Sequence, residues 1–392
     1  MKSLRLCLVA VACLTATVHS EEIRLIGVSE IPANLPDRSG QQGTLEGGIP
    51  ANQWGGFGSG IAYLGQGNRY AVISDRGPAD GATSYRCRFH IVDISVNDRT
   101  ANPVKVKLLE THLLSDQGGR PLVGSLSAFR DAADQRGCRF DPEAIRATVR
   151  GTLLISDEYG PSIGEFARDG RLIREFAVPR HFQVRRAAAD PIQELPPANT
   201  AGRQPNRGLE CLTISPDGSR IYALLQSPLI QDGALDETNK RIGTNIRLLE
   251  VTTSSGATRE FLYRLDAPTN GCNEIEYRAP GRLLVIERDS KQGAEAAVKQ
   301  IVEIDVSEAS DISRIESLPS TAVPDGVTPV TKRPFLDLLD GRWQLMGPQF
   351  PEKIEGIAFG PRLGDGSRLL LISSDNDFLP APSFIYAFAI RD

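Results

Sequence analysis

Acidic side chains recur at two kinds of position along this sequence. In the first kind a glutamate opens a short apolar segment, and the members are Glu143, Glu210, Glu274 and Glu355. In the second kind an acid closes the next apolar segment, and the members are Asp75, Asp157, Glu158, Glu287, Asp289, Asp375 and Asp377. Carboxylates gathered in a narrow opening repel one another strongly. Arginines, proton uptake through raised pKa values, or a bound hard cation would have to neutralise them.

Residues that could neutralise the acids occur in the same segments of the sequence. Arg76, Arg207 and Arg288 stand close to the acids and could pair with them. Ca²⁺ takes roughly six to eight oxygen ligands, and carboxylate and amide oxygens suit it. The residues that we predict as calcium ligands are Asp157, Glu158, Glu274, Glu287, Asp375 and Asn376. None of the acidic stretches matches the EF-hand loop, so the metal prediction depends on ligand chemistry alone.

A repeated pair of short strands must position these residues. Its five copies span 59–75, 142–158, 209–226, 273–289 and 354–375. In each copy a short apolar strand is followed by a second, very apolar strand, and most of the intervals hold two further strand candidates. Four strands per repeat, with several repeats in series, predict a β-propeller. The predicted fold class is all-β, a single propeller of five or six four-stranded blades.

The last copy leaves room for only three strands, the third being Phe384–Ile390. We predict that Ile23–Val28 supplies the fourth, because an N-terminal strand would close the ring and remove two sheet edges. A sixth, degenerate blade could lie within 311–345 or 111–140, so the count stays open between five and six. No linker divides the chain, and residues 21–392 are predicted to form one domain rather than two smaller β-rich domains.

The first twenty residues have the features of a secretory signal peptide. Lys2 and Arg5 give a basic start, residues 6–14 are apolar, and Ser20 provides a small residue at the cleavage site. An N-terminal helix of the mature domain and lipidation at Cys13 are the alternatives. No other stretch approaches the length of apolar residues that a transmembrane helix needs. We therefore predict an exported protein, periplasmic or secreted.

Composition excludes several classes of partner and site. The formal net charge is −5 and there is no basic run, which argues against nucleic acid and a polybasic membrane contact. After the signal only His90, His112 and His181 remain, so few histidines are available as ligands of a zinc site. The spacing G-x-S-x-G occurs at 160–164, but there it lies between two strand candidates of the repeat and not at the strand-to-helix turn of a nucleophile elbow. The predicted partner is a small molecule, and the protein is predicted to be a monomer.

The order and number of the motifs resemble the phytase-like domain family of exported bacterial proteins, described as having esterase-like activity of phytase. The segments that carry the resemblance are 74–77, 141–145, 156–163, 206–210, 226–229 with 232–233, 273–275, 286–289, 353–360 and 374–376. Together they run from about residue 55 to the C-terminus. The resemblance implies a propeller, export and hydrolysis of phosphoric esters. Cys211 departs from the pattern, since Gly356 follows the equivalent Glu355.

Four cysteines remain after the signal, an even number in an oxidising compartment. Four allow three pairings. Cys211 and Cys272 occupy near-equivalent positions on adjacent inner strands of the propeller, which favours a disulfide between them. Cys87 with Cys138 would be the other pair. A zinc site built from the thiolates would need close C-x-x-C pairs, which are absent.

Under this resemblance the leading hypothesis is metal-assisted hydrolysis of a phosphate ester. Calcium would offset the charge of the phosphate, and the arginines Arg76, Arg207 and Arg288 would bind its oxygens. The candidates for the general base are Glu143, Glu210 and Glu355. The alternatives are a metal-dependent lactonase or carboxylesterase at the same place, and a propeller that binds without catalysis. The acids could also serve only the scaffold, by accepting backbone N–H groups.

Overall fold

Twenty β-strands make up the regular structure of the computed structural model, which describes residues 22–128 and 139–391. The predicted signal and Cys138 lie outside the described residues. The strands are β1 (Glu22–Ile31), β2 (Phe57–Tyr63), β3 (Arg69–Ser74), β4 (Arg88–Val96), β5 (Val104–Leu113), β6 (Pro142–Ala147), β7 (Leu153–Asp157), β8 (Ser162–Phe166), β9 (Leu172–Phe176), β10 (Leu209–Ile214), β11 (Arg220–Leu225), β12 (Asn245–Thr252), β13 (Thr258–Arg264), β14 (Gly271–Ala279), β15 (Arg282–Arg288), β16 (Lys299–Asp305), β17 (Thr331–Asp337), β18 (Lys353–Arg362), β19 (Arg368–Asp375) and β20 (Ser383–Arg391).

The only helices among the described residues are short 3₁₀ turns. They are Glu46–Gly48, Arg180–Phe182, Pro191–Glu194, Ile230–Asp232, Gly293–Glu295 and Gly341–Trp343. None of them has the length and apolar character needed to cross a membrane.

The strands form five four-stranded antiparallel sheets, which are the blades of a propeller. Blades 1 to 4 are β2–β5, β6–β9, β10–β13 and β14–β17, and blade 5 is β18–β20 with β1. The predicted propeller is confirmed, and the number of blades is five. The N-terminal strand closes the ring as predicted, because β1 pairs with β20 from Glu22 opposite Arg391 to Ile31 opposite Ser383.

Burial explains why each copy of the repeat is so apolar. The second strand of every blade lies between neighbouring strands and has both faces covered, so its residues are almost all buried, as in Leu153–Asp157. The outer strands alternate instead, as Leu172–Phe176 does between half-buried and exposed residues. The first strands β2, β6, β10, β14 and β18 contact one another in sequence and surround the centre of the ring.

A single side chain, Arg146 of β6, fills the centre of this ring and is buried. It donates hydrogen bonds to the carbonyl oxygens of Ile61 at 2.9 Å, Ile145 at 2.6 Å, Ile275 at 2.7 Å and Ile357 at 3.3 Å. It also pairs with Glu274 at 2.9 Å and Glu276 at 3.2 Å. Because these partners belong to blades 1, 2, 4 and 5, Arg146 ties four first strands together at the axis.

The predicted disulfides are not confirmed. Cys87, Cys211 and Cys272 are buried free thiols, and the Sγ of Cys87 donates to the carbonyl oxygen of Phe140 at 3.2 Å. Burial raises the pKa of the thiols of Cys211 and Cys272 well above the usual value. The thiolate form required for oxidation is therefore disfavoured at both positions. The pairing of Cys87 with Cys138 stays a prediction, since Cys138 is outside the described residues.

Candidate functional site

One cavity, of about 130 Å³, lies at the mouth of the ring, where the first strand of each blade begins. The start of one antiparallel strand lies beside the end of the next, so Lys353 pairs with Asp375 and Gly271 with Arg288. The charged and amide side chains around this mouth cavity are Asp75, Arg76, Glu143, Glu158, Asn206, Arg207, Glu210, Gln226, Asn273, Arg288, Asp289, Glu352, Lys353 and Glu355. The structure thus brings the three predicted bases and the three predicted phosphate-binding arginines to one cavity.

A β-bulge lies near the start of each first strand, and in blades 2 to 5 it aims a side chain into the mouth cavity. The register breaks between 57 and 60, 142 and 145, 209 and 211, 272 and 274, and 354 and 356. A bulge leaves an extra residue unpaired and re-aims it. The unpaired residues include Glu143, Glu210, Asn273 and Glu355, which all line the cavity. Blade 4 therefore presents the amide of Asn273 where the repeat predicts Glu274.

Glu143 is a carboxyl group without a partner in residues 22–128 and 139–391. It is 8% exposed, and within the described part of the chain no group donates a hydrogen bond to it or pairs with it. Burial raises the pKa of Glu143 well above its usual value, and the nearby carboxylates of Glu210, Asp141 and Glu158 raise it further. A buried carboxyl with a raised pKa is a candidate for general acid–base catalysis.

Glu210 is oriented by neutral amides. One of its oxygens accepts from the Nε2 of Gln226 at 2.7 Å and from the Nδ2 of Asn273 at 2.8 Å. Burial raises the pKa of Glu210 well above its usual value, and the charges of Glu158 and Glu355 raise it further. The two amide donors orient the carboxyl group but supply no positive charge that would favour its ionised form. Glu210 is therefore suited to hold a proton.

Glu355 differs from the other two glutamates because an arginine pairs with it. The Nη2 of Arg288 donates to its Oε1 at 2.7 Å. Arg288 also donates to the carbonyl oxygen of Asp289 at 3.2 Å, while its buried Nε has no hydrogen-bond partner among the described residues. One edge of this guanidinium is therefore left for a ligand.

Arg76 is held firmly by acids. Its Nη1 donates to Asp141 at 2.6 Å and lies 3.6 Å from Glu158, and its Nη2 pairs with Asp80. The backbone N–H of Arg76 also donates to Asp141, at 3.1 Å. Because these acids already balance the positive charge of Arg76, its position is suited to stabilise the acidic wall of the cavity.

Arg207 is the contrasting case. In the described ranges its half-buried side chain has no ion pair and no hydrogen-bond partner, yet it lines the mouth cavity. Burial lowers the pKa of Arg207 to about 10, and the positive charges of Arg241 and Arg288 lower it too. The group still carries its charge at neutral pH, so it offers an unpaired guanidinium to an anionic ligand.

Two groups of acids could hold a hard cation. The aspartate group is Asp75, Asp375 and Asp377, and the mixed group is Asp141, Glu143 and Glu158. Within each group the candidate ligand oxygens lie within 4.8 Å of one another. Burial raises the pKa of Asp375 and of Glu158 to about 7. Lys353, which the sequence analysis missed, donates to Asp377 at 2.5 Å and stands between the aspartate group and the mouth cavity.

Three of the predicted calcium ligands, Asp157, Glu274 and Glu287, belong to neither group. Asn376 lies between two members of the aspartate group in the sequence, but its Oδ1 already accepts the backbone N–H of Gly56 at 2.9 Å. Asp157 accepts the backbone N–H groups of Asp141 at 3.0 Å, Tyr159 at 3.1 Å and Gly160 at 2.9 Å. Its oxygens therefore stabilise the turn after β7, while the neighbouring residue Glu158 reaches the mouth cavity.

Glu287 is likewise occupied by local partners. It accepts from the hydroxyl of Tyr263 at 2.6 Å, the Nζ of Lys332 at 2.6 Å and the Nδ2 of Asn270 at 2.8 Å. Glu274 pairs with Arg146 at the axis, as described above. For these residues the geometry indicates a scaffold role.

Backbone strain is concentrated around the same site. Seven non-glycine residues in the described ranges have positive φ angles. Asn206 lines the mouth cavity and Asp377 belongs to the aspartate group, each with φ of 54°, and Phe378, which follows Asp377, has φ of 57°. Ala79 and Asp80, with φ of 60° and 55°, lie in the turn after Arg76. Such conformations cost energy and persist where the surrounding structure imposes them, often at ligand sites.

Residues 52–378 match the phytase-like family, described as having esterase-like activity of phytase. The chain belongs to this family. The resemblance inferred from the motifs is thereby confirmed over most of the sequence. A relative from Arthroderma benhamiae, described as an uncharacterized secreted protein, is 27% identical, and the match covers 91% of this chain and 86% of the relative.

Solved structures show only remote likeness to this family member. A PQQ-bound aldose sugar dehydrogenase from Streptomyces coelicolor is 12% identical with a TM-score of 0.38, covering 95% of this chain and 98% of that one. A gluconolactonase from Xanthomonas campestris is 12% identical with a TM-score of 0.36, covering 96% and 92%. These values are too low to bear on function.

Proposed function

We propose that this protein is an exported phosphoric-ester hydrolase that acts on a small molecule at the mouth cavity, as a monomer and with a bound divalent cation, expected to be Ca²⁺. The observation that carries the proposal is the presence in one cavity of a carboxyl, Glu143, and a guanidinium, Arg207, that have no partner among the described residues. A phosphate ester would satisfy both groups. Membership of the family and the secreted relative support hydrolysis and export.

The phosphate would be held by two arginines. Arg207 would donate to phosphate oxygens by a bidentate contact. Arg288, whose Nε is free of protein partners in the described part of the chain, would donate from the other side while keeping its pair with Glu355. Both cations would also offset the negative charge that grows in the transition state.

Two carboxyl groups would move the protons. Where adjacent carboxyls both have raised pKa values, one ionises first and its charge holds the proton on the other. Glu143 would accept a proton from water while the water oxygen forms a bond to phosphorus. The bond from phosphorus to the ester oxygen breaks, and Glu210 would give its proton to that oxygen. The products are an alcohol and inorganic phosphate.

The aspartate group is the better candidate for the cation, since it leaves Glu143 free to act as a base. Its three ligands are all carboxylate oxygens within 4.8 Å of one another, which fits a hard divalent ion such as Ca²⁺. When bound, such an ion would offset phosphate charge next to the cavity.

The test is phosphate release by the purified chain from phytate and from aryl phosphates, with Ca²⁺ and after its removal with EGTA. Glu143→Gln should lower kcat/KM by roughly 100- to 10,000-fold, whereas the exposed Glu237→Gln should not change it. Failure to release phosphate from any ester, with or without Ca²⁺, would remove the proposal. Turnover of lactones that is unchanged in Arg207→Ala would favour the lactonase alternative.

A further inference from the structure

A second cavity adjoins the mouth cavity. Its volume is about 420 Å³, and it shares Glu352 and Lys353 with the mouth cavity. We call it the side cavity. The mouth cavity alone, at about 130 Å³, is well below the roughly 300 Å³ at which ligand pockets usually begin. A substrate whose phosphate lies in the mouth cavity must therefore extend beyond it, and the side cavity is the adjoining space that can take the rest.

One wall of the side cavity is apolar. Phe350, Leu379, Pro380, Pro382 and Phe384 contribute to it. Leu379 is 59% exposed. Its apolar side chain therefore contacts water on the cavity wall, as apolar residues in binding grooves do. A ligand that covers it would recover the hydrophobic free energy that folding leaves unused.

The loop that carries Leu379 is held in place by Asn376. The Nδ2 of Asn376 donates to the carbonyl oxygens of Leu379 at 3.3 Å and Ala381 at 2.8 Å, and its Oδ1 accepts the backbone N–H of Gly56 at 2.9 Å and of Phe378 at 3.2 Å. Pro380 and Pro382, which follow Leu379, stiffen the loop further. The apolar wall is therefore formed before a ligand arrives, which reduces the entropy cost of binding.

The charges of the side cavity exclude a second phosphate. Lys353 is the single cation among its described lining residues, and it is already paired with Asp377. A divalent cation on the aspartate group, together with Lys353, would only balance the three carboxylates of that group, and Glu352 then leaves this side with a net negative charge. A polyphosphorylated substrate would place further phosphates against these acids, where like charges repel.

We propose that the side cavity binds the organic part of the ester, and that the substrate is the monophosphate of an apolar or aromatic alcohol rather than a polyphosphate. This inference depends on the proposed function for the position of the phosphate. It adds the class of the leaving alcohol.

Hydrolysis and binding test the inference separately. Wild type should hydrolyse 1-naphthyl phosphate with a kcat/KM at least tenfold above those for glycerol phosphate and phytate. Leu379→Ser should reduce the naphthyl-to-glycerol ratio of kcat/KM about tenfold, as loss of apolar contact in a pocket does. The control Val149→Ser changes a residue that is 70% exposed in the turn between β6 and β7, at the far end of the blade, and should change neither rate.

The binding experiment uses 1-naphthylmethylphosphonate, which cannot be hydrolysed, with methylphosphonate as the reference in calorimetric titrations. The naphthyl compound should bind at least tenfold more tightly, and Leu379→Ser should abolish most of that difference. Equal binding of the two compounds, or a preference unaffected by Leu379→Ser, would overturn the inference. If tight naphthyl binding is observed but no ester is hydrolysed, the side cavity stands and the proposed hydrolase activity falls.

Discussion

Replacing Arg146 by methionine should destabilise the whole propeller. Methionine has a similar length but no charge and no donor, so Arg146→Met removes four hydrogen bonds to carbonyls of four different blades. At about 1 to 1.5 kcal/mol for each bond, the free energy of unfolding should fall by about 5 kcal/mol. An unfolding entropy of about 2 cal/mol/K per residue over about 370 residues turns this into a decrease in Tm of about 6 °C.

The loss of stability in Arg146→Met should depend on pH because Arg146 pairs with Glu274. Burial raises the pKa of Glu274 to about 8, while Arg146 works against that shift. The folded state therefore holds a proton that the unfolded state releases above about pH 4.5, so the stability contributed by this group falls as pH rises towards 8. Without Arg146 the folded pKa moves still higher. The difference between wild type and Arg146→Met should widen above about pH 8.

Thermal unfolding of wild type, Arg146→Met and Arg146→Met/Glu274→Gln at pH 6 and pH 9 checks both points. Adding Glu274→Gln to Arg146→Met should remove most of the pH dependence of the Tm difference from wild type, because glutamine cannot ionise. Arg150→Met, an exposed position of the same blade, is the matched control. A decrease in Tm of less than 1 °C for Arg146→Met, or a difference that does not change with pH, would refute the reasoning.

Further outcomes are expected at the mouth cavity and in the core. Saturating Ca²⁺, at about 100 times its Kd, should stabilise wild type by about 2.7 kcal/mol, or about 3 °C in calorimetric Tm, and Asp375→Asn should lose this increase. Arg207→Ala should weaken inorganic phosphate binding at least tenfold in titrations, whereas the exposed Arg185→Ala should not. Alkylation of the denatured, unreduced protein followed by mass spectrometry should label Cys211 and Cys272. Their recovery as a disulfide would contradict the free thiols described here.

The propeller could be predicted because its physical cause is visible in the sequence. A strand covered on both faces must be apolar throughout, so the segments 69–74, 153–157, 220–225, 282–288 and 368–375 stand out. The convergence of acids at one mouth follows from antiparallel pairing. The blade count could not be settled, because the pattern gives no means to tell a degenerate blade from an insert.

The direction of individual side chains was not predictable. Asp157 and Glu158 are neighbours, yet Asp157 turns to local backbone N–H groups and Glu158 lines the mouth cavity. Which residue is aimed at the axis depends on a β-bulge, and a bulge is set by pairing rather than by residue type, as with Asn273 and Glu274. Arg146 gave no signal either, because its partners are mainly carbonyl oxygens of distant strands.

The pairing of β1 with β20 makes the two ends of the described chain depend on each other. Within the described sheets β1 has no neighbour except β20, and β19 has only β18 and β20. Removal of residues 383–391 would therefore cost two strands rather than one, since β1 would be left without a partner. The fifth blade cannot assemble until translation has passed residue 391, so a ribosome-bound or partly translocated chain would carry an open ring.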